Sequence, residues 1–267
     1  MKSSWAALLA LLLVCSGAAA QERLRMSTTT STENTGLLNV LLPPFEKQCA
    51  CKVDVIAVGT GKALKLGESG DVDVVLVHAR SLEDKFVANG FGVNRRDVMY
   101  NDFVIIGPAG DPAHVKRAKT AAEALRQIAA AQAVFISRGD ESGTHVKEKE
   151  LWAAAGISPA GRWYRSIGQG MGETIIMATE ERGYTLSDRG TYNAFADGKT
   201  DLSILFEGEK GLFNPYGVIA VNPKKFPHVK YDLAMKFEDF ITGPAGQAII
   251  GHYQVAGKPV FFLYPAK

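Results

Sequence analysis

Three segments of the chain set hydroxyls and glycines between a β-rich run and a helical one: "STTTSTENTG" after "LRM", "VGTGKAL" after "VDVIA", and "SRGDESGTH" after "AVFI". The first amides of a helix lack intrahelical partners and point at whatever precedes the helix, where the dipole favours negative charge. Each segment is therefore a candidate seat for an anion. Thr30, Ser31, Ser142 and Thr144 offer hydroxyl donors without net charge, and Arg138 supplies one fixed cation in a fork suited to a tetrahedral oxyanion. A single Ser or Thr in such a place commonly does no more than cap its helix. Three clusters together with an arginine exceed what three caps require. The candidate ligand-binding set is Thr29, Thr30, Ser31, Thr60, Arg138, Ser142, Gly143 and Thr144, with no catalytic residue, no cofactor and no metal site.

An enzyme reading needs a nucleophile with its base, a metal cluster or a cofactor loop. "GDESG" spaces its glycine and serine wrongly for a Gly-x-Ser-x-Gly elbow, and no acid/His pair stands beside Ser142. "GTGKAL" lacks both the spacing and the Ser/Thr after lysine of a phosphate-binding NTPase loop. Cys49 and Cys51 have no second Cys/His pair at zinc-ligand spacing. The residues point to binding without chemistry, with a hydrolase as the minor alternative.

The elements that must position these clusters alternate along the chain. "LRMSTTT", "KVDVIAVG" and "VDVVLVHA" read as strands, separated by helices in "ENTGLLNVLLPPFEKQ", interrupted near Pro43-Pro44, and in "GKALKLGES"; "SLEDKFVANG" reads as a further helix ended by Gly90. "DFVIIGP" closes this block as a strand, and "DPAHVKRAKTAAEALRQIAAAQ" reads as one Ala-rich amphipathic helix. A second alternation runs through "AVFISRG", "ESGTHVKEKELWAAAG", "RWYRSIG", "GMGETIIMATEERG", "GYTLSDRGTYNAFADG" and "DLSILFEG", and the strand "YGVIAVNP" precedes two C-terminal helices. The βαβα rhythm predicts an α/β fold whose lobes each hold a mainly parallel sheet flanked by helices. No Pro/Gly/Ser-rich linker divides the blocks, so strands near "DFVIIGP" and "NPYGVIAVNP" must join them as hinges. The expected division is 21–107 plus 218–267 for lobe I and 108–217 for lobe II.

Residues 1–20, "MKSSWAALLALLLVCSGAAA", carry Lys2, an apolar run too short for a membrane span, and small residues ending at Ala20, as a secretory signal peptide cleaved near Ala20 does. Cys15 offers an alternative acylation site, but Val14 stands before it where a small residue is required. The rest of the chain has no run that would insert in a membrane. The formal charge of +2, or +1 without Lys2, marks neither a nucleic-acid stripe nor a membrane-seeking patch.

Taken together, "TTTSTENTGLLNVLLPPFEK", "VIAVGTGKAL", "DVVLVHAR", "YNDFVIIGP", "SRGDESGTH", "GMGETI" and "YTLSDRGTY" resemble the periplasmic tungstate-binding proteins of tungstate ABC transporters, from about Thr28 to the end of "NPYGVIAVNP". The resemblance implies a two-lobed class II periplasmic binding-protein fold with two hinge strands and one oxyanion in the cleft. It also implies tungstate as ligand with molybdate as close competitor, a periplasmic location, and delivery to an ABC permease powered by a cytoplasmic ATPase. The family's Thr-Thr-Thr-Ser run falls on Thr28, Thr29, Thr30 and Ser31, and its cation on Arg138. "RGDESGT" is similar as well to the anion loop of phosphate-binding proteins of the same superfamily, so phosphate is the rival ligand. "QCACK" departs from the pattern, where a glycine-containing helix-to-strand turn is expected.

Phosphate near neutral pH keeps a proton and needs an acceptor, whereas tungstate and molybdate are bare dianions that need donors only. Asp140 is the acceptor at hand, or else it orients Arg138 and bonds the amides that follow. Arg189 is either a second cation near the ligand, a cleft-edge residue or the ion-pair partner of Asp188, and Tyr192 is equally open. His78 ends a strand at the ligand-binding edge of such folds, while His145 starts a helix pointing elsewhere. Cys49 and Cys51 are either free thiols or a bridge across one residue.

Overall fold

The computed structural model describes residues 21–196 and 198–264, so the expected signal segment and Cys15 lie outside it. The chain begins β1 (Glu22–Thr29), α1 (Thr30–Asn34), α2 (Leu37–Cys49), β2 (Cys51–Val58), α3 (Thr60–Ser69), β3 (Val74–Val77), α4 (Arg80–Ala88) and β4 (Gly92–Gly107). It continues through α5 (Ala121–Ala130), β5 (Phe135–Ser137), α6 (Gly143–Ala155), β6 (Tyr164–Ser166), α7 (Met171–Glu180), β7 (Thr185–Asp188), α8 (Arg189–Ala196) and β8 (Ser203–Phe206). The last part is β9 (Phe213–Val221), α9 (Tyr231–Thr242), α10 (Pro244–His252) and the hairpin of β10 (Gln254–Val255) and β11 (Lys258–Pro259).

One sheet runs β2-β1-β3-β9-β4-β7, with β8 also on β4, and β5 pairs with β6 in a second. Parallel pairing joins β1 to β2 and β3 and joins β5 to β6; the long strands β4 and β9 pair antiparallel with every neighbour. Alternate residues of a strand face opposite sides. Val74 and Leu76 accordingly enter one core cluster and Val75 and Val77 another, while Phe103 and Ile105 are separated from Val104 and Ile106 in the same way. Burial on both faces is why "VVLV" and "FVII" are unbroken apolar runs. Core membership changes between Met99 and Phe103 on β4, and between Leu212 and Tyr216 at β9, so both strands serve two cores.

The parallel strands bring their carboxyl ends to shared edges. Thr28 lies beside Ala57 and Leu76 in register, which collects Thr30, Thr60 and His78 at one edge. Ser137 lies beside Ser166, and a parallel bridge links Phe135 to Tyr184, which collects Arg138, Gly168 to Gly170 and Asp188 at another.

Three elements differ from expectation. α2 runs unbroken through Pro43 and Pro44. Both prolines and the residues Asn39 and Val40, whose carbonyls lose their intrahelical donors, are exposed to water, while Leu37, Leu38, Leu41 and Phe45 anchor the opposite face. The expected helix from Asp111 onward divides into a short turn at Val115–Arg117 and α5, because Asp111 takes the amide protons of Val115 and Lys116 and Thr120 caps α5 by accepting from the Glu123 amide. β4 starts at Gly92, ten residues before "DFVIIGP"; its register against β9 shifts twice, which breaks the alternation a strand otherwise displays. Cys49 and Cys51 form a disulfide at the turn from α2 to β2.

In the second core Glu148 of α6 is buried at 2 % exposure. Its Oε1 accepts from Trp152 Nε1 at 3.1 Å and from the Tyr164 hydroxyl at 2.8 Å. Burial pushes this carboxyl up to about 7. A folded-state value above the unfolded one means stability that is complete below the ordinary range near 4.5 and is lost as pH rises through about 7. Glu148→Gln keeps the acceptor and removes the titration. Thermal unfolding between pH 5 and 8 is expected to show the wild type losing about 3 kcal/mol relative to the variant over that window. Parallel curves for the two proteins contradict this.

Candidate functional site

The two strand edges face each other, and Arg138 spans the gap. It leaves the end of β5, is 1 % exposed, and sends Nη1 to Ser31 Oγ at 2.7 Å and Nη2 to Thr30 Oγ1 at 3.3 Å across the cleft. Nη2 also donates to Asp140 Oδ2 at 2.6 Å, and Asp140 Oδ1 accepts from the Ser142 amide at 3.2 Å. Asp140 thus orients Arg138 and organises the turn into α6 at once. Gly139, between them, has φ +65, and a side chain there would strike Ser166 Oγ, so the turn depends on glycine.

The remaining candidates divide by what their polar atoms touch. Thr30 and Ser31 meet Arg138 directly. Thr29 is the N-cap of α1: its Oγ1 accepts from the Thr32 amide at 3.1 Å and also bonds Thr32 Oγ1 at 2.8 Å and His78 Nε2 at 3.1 Å, so its hydroxyl is fully engaged. Ser142 caps α6 by accepting from the His145 amide at 3.1 Å. Thr60 Oγ1, at the start of α3, accepts from the Gly143 amide at 2.8 Å, and the Gly61 amide donates to Glu141 O at 3.3 Å; these two bonds join the strand edges. Thr28 turns its hydroxyl to Leu76 O at 2.7 Å, inside the sheet.

Arg138 Nε and Thr144 Oγ1, on either side of the turn into α6, are among the buried donors that have no protein acceptor among the described residues. A buried donor left unpaired costs about 1–3 kcal/mol, so this pair suits a ligand made of acceptors. The positive Arg138 and negative Asp140 leave little net charge, and hydroxyls and helix-start amides of α3 and α6 supply the rest of the polarity.

Arg189 pairs with Asp102 through Nε and Nη2, both at 2.6 Å, and with Glu207 at 2.5 Å, rather than with Asp188. It ties α8 to β4. Tyr192 donates its hydroxyl to Leu202 O at 3.0 Å and packs in a core cluster. His145 accepts the Glu141 amide proton on Nδ1 at 3.1 Å, within its own turn. His78 is 2 % exposed, and burial lowers its imidazole to about 4, so the ring is neutral at neutral pH.

Sequence reasoning missed four positions at this cleft. Gly170, the uncapped N-cap of α7, faces Thr30 Oγ1 closely enough that an added side-chain carbon would lie 3.6 Å away. Asp188 is buried, accepts from the Thr191 amide at 2.8 Å through Oδ1, and has Oδ2 unpartnered. Asn101 and Asn214 are buried on the two long strands and bond each other at 2.6 Å. Strand-end placement, the signal that singled out His78, also marked Asp188; nothing in the local sequence marked the two asparagines.

A family model described as a PBP superfamily domain matches residues 16–245. The crystal structure of the tungstate ABC transporter from Geobacter sulfurreducens is 71% identical, with TM-score 0.80, over 87% of this chain and 99% of that one. The tungstate-binding protein TupA from Desulfovibrio alaskensis G20 is 53% identical, with TM-score 0.76, over 90% of this chain and 98% of that one. The tungstate-binding protein TupA of Peptoclostridium acidaminophilum is 46% identical over 248 residues, 91% of this chain and 86% of its own. With two cores sharing two long strands and a polar cleft between them, the chain belongs to the TupA tungstate-binding protein family of the PBP superfamily, with its two-lobed class II fold.

Proposed function

We propose that the protein captures tungstate, with molybdate as close competitor, in the cleft between two lobes and delivers it to an ABC permease. The observation that carries this reading is the buried Arg138 Nε and Thr144 Oγ1, donors without a protein acceptor, beside an Asp140 whose two oxygens are already taken by Arg138 and the Ser142 amide. A bare dianion uses such donors, whereas a ligand that keeps a proton finds Asp140 occupied. Several charge-assisted bonds of about 1.5–3 kcal/mol each reach the roughly −12 kcal/mol of a nanomolar complex. The ligand-binding set we propose is Thr30, Ser31, Thr60, Arg138, Ser142, Gly143 and Thr144, with Thr29 holding α1 in place.

The same geometry supports binding over catalysis. Ser142 Oγ is engaged by the His145 amide and His145 Nδ1 by the Glu141 amide, so the neighbouring pair is not a nucleophile with its base. The lobes we propose, 21–107 plus 218–267 and 108–217, swing about β4 and β9 near the points where core membership changes. Residues 1–20 act as the export signal, cleaved near Ala20, and place the mature protein in the periplasm.

One observation favours phosphate: Asp188 Oδ2, buried and unpartnered, is a free acceptor at the second strand edge. Isothermal titration with tungstate, molybdate, sulfate and phosphate at neutral pH separates the readings. Tungstate and molybdate are expected to bind at least about a hundredfold more tightly than phosphate, the equivalent of about 3 kcal/mol. Phosphate binding best would make Asp188 the acceptor and overturn the tungstate reading.

A further inference from the structure

A buried line of side-chain hydrogen bonds connects the two long strands to α1. Asn101 on β4 accepts from Asn214 Nδ2 on β9 at 2.6 Å. Asn214 presents Oδ1 to His78 Nδ1 at 3.0 Å, and His78 Nε2 meets Thr29 Oγ1 at 3.1 Å. Thr29 then caps α1 through the Thr32 amide. All of these residues are at most 2 % exposed, and the His78 ring stacks on Tyr216 at 4.6 Å.

The direction of each bond follows from the inventory of donors and acceptors. Asn214 spends its amide hydrogen on Asn101, so it offers an oxygen to His78, whose Nδ1 must donate. Nε2 is then bare and accepts the Thr29 hydroxyl proton. With its proton directed to His78, the Thr29 oxygen accepts from both the Thr32 amide at 3.1 Å and the Thr32 hydroxyl at 2.8 Å. α6 of the other strand edge also rests here, because a carbon added at Gly143 would lie 2.9 Å from His78 O and 3.0 Å from its Cε1 and Nδ1. His78 therefore touches the hinge strands, the N-cap of α1 and the start of α6 at once.

We infer that His78 is a positioning residue for oxyanion capture: by taking the Thr29 proton while held by Asn214, it registers Thr30 and Ser31 against the hinge and couples that turn to lobe closure. This rests on the proposed reading of the cleft. His78 itself gives the ligand nothing, since both ring nitrogens are used within the protein.

The two amide replacements separate the two ends of the ring. Gln reaches the Nε2 position and can accept from Thr29; Asn occupies the Nδ1 position, satisfies Asn214 and leaves the Thr29 proton only the Thr32 hydroxyl at 2.8 Å, inside the same turn, so the tie to the hinge is lost. Tungstate titration is expected to give His78→Asn a dissociation constant about tenfold above wild type, in line with one lost buried hydrogen bond, and His78→Gln a value within about threefold. In the unliganded proteins, amide hydrogen exchange at Thr32 is expected to quicken in His78→Asn and to stay near wild type in His78→Gln. Rescue by Gln in both measurements supports the positioning role. Equal weakening by both variants, a Thr32 amide unmoved in His78→Asn, or wild-type affinity in both overturns the inference and leaves the cleft reading intact. Wild type that binds no tungstate overturns the cleft reading and the capture role with it.

Discussion

Arg138→Ala is expected to raise the tungstate dissociation constant by about a thousandfold, while the unliganded protein unfolds within a few degrees of wild type. The size follows from two charge-assisted hydrogen bonds of about 1.5–3 kcal/mol each that the guanidinium can give an oxyanion. A further loss comes from Asp140, which is left without its partner at 2.6 Å and adds repulsion for any anion. The small effect on folding follows from location: Arg138 belongs to none of the four hydrophobic clusters and makes its cross-cleft bonds to Thr30 and Ser31 only when the strand edges meet. Arg138→Lys keeps the charge and loses the planar fork, so it should recover only part of the affinity. Titration calorimetry reads the affinities. Thermal unfolding with and without tungstate supplies an independent check, because a ligand bound only to the folded state raises the midpoint by mass action and the alanine variant should lack that shift. An alanine variant with wild-type affinity removes Arg138 from the site.

How far this site was legible in the sequence depends on the range of the interactions. The strands "VVLV" and "FVII" declare themselves because both faces are buried, and the donor clusters declare themselves because helix starts have a local chemistry of hydroxyls and glycines. The first half of β4 hides its periodicity behind two register shifts and two arginines, Arg95 and Arg96, whose ion pairs with Glu83 and Glu238 are made by distant segments. Within the clusters, residue type cannot tell a cap from a ligand contact. Thr29 and Ser142 both cap their helices, while Thr30 and Ser31 meet Arg138 across the cleft, an arrangement that only the fold determines. His78 and Asn214 are 136 residues apart, and the line of hydrogen bonds they share has no local signature at all.

The structural economy of the cleft lies in its glycines. Where the strand edges meet, backbone approaches backbone: the Gly143 amide reaches Thr60, the Gly61 amide reaches Glu141 O, and a carbon added to Gly59 would lie 2.9 Å from Asp140 O. These contacts hold only while the edges are together. Substituting such a glycine therefore discriminates against the closed arrangement without touching either core.

Gly143→Ala is accordingly expected to weaken tungstate binding by about 10- to 100-fold, the equivalent of the 1–3 kcal/mol that overpacking costs. Gly143 is the first residue of α6, outside the left-handed region, and alanine favours a helix there, so the unliganded protein should be as stable as wild type or slightly more so. The added methyl would sit 2.9 Å from His78 O, a backbone atom at the end of β3 that cannot swing aside, and the strand edges must part to admit it. Gly59→Ala opposes closure from the other side against Asp140 O. Once one methyl has wedged the cleft the second has less left to disrupt, so the double variant should lose less than the two single losses combined. Small-angle scattering provides the structural readout: wild type should contract on adding tungstate, and the alanine variants should contract less at equal saturation. Tight binding and full contraction in both single variants would mean that the ligand is held without the edges meeting, and the cross-cleft bonds of Thr60 and Gly61 would then have no part in capture.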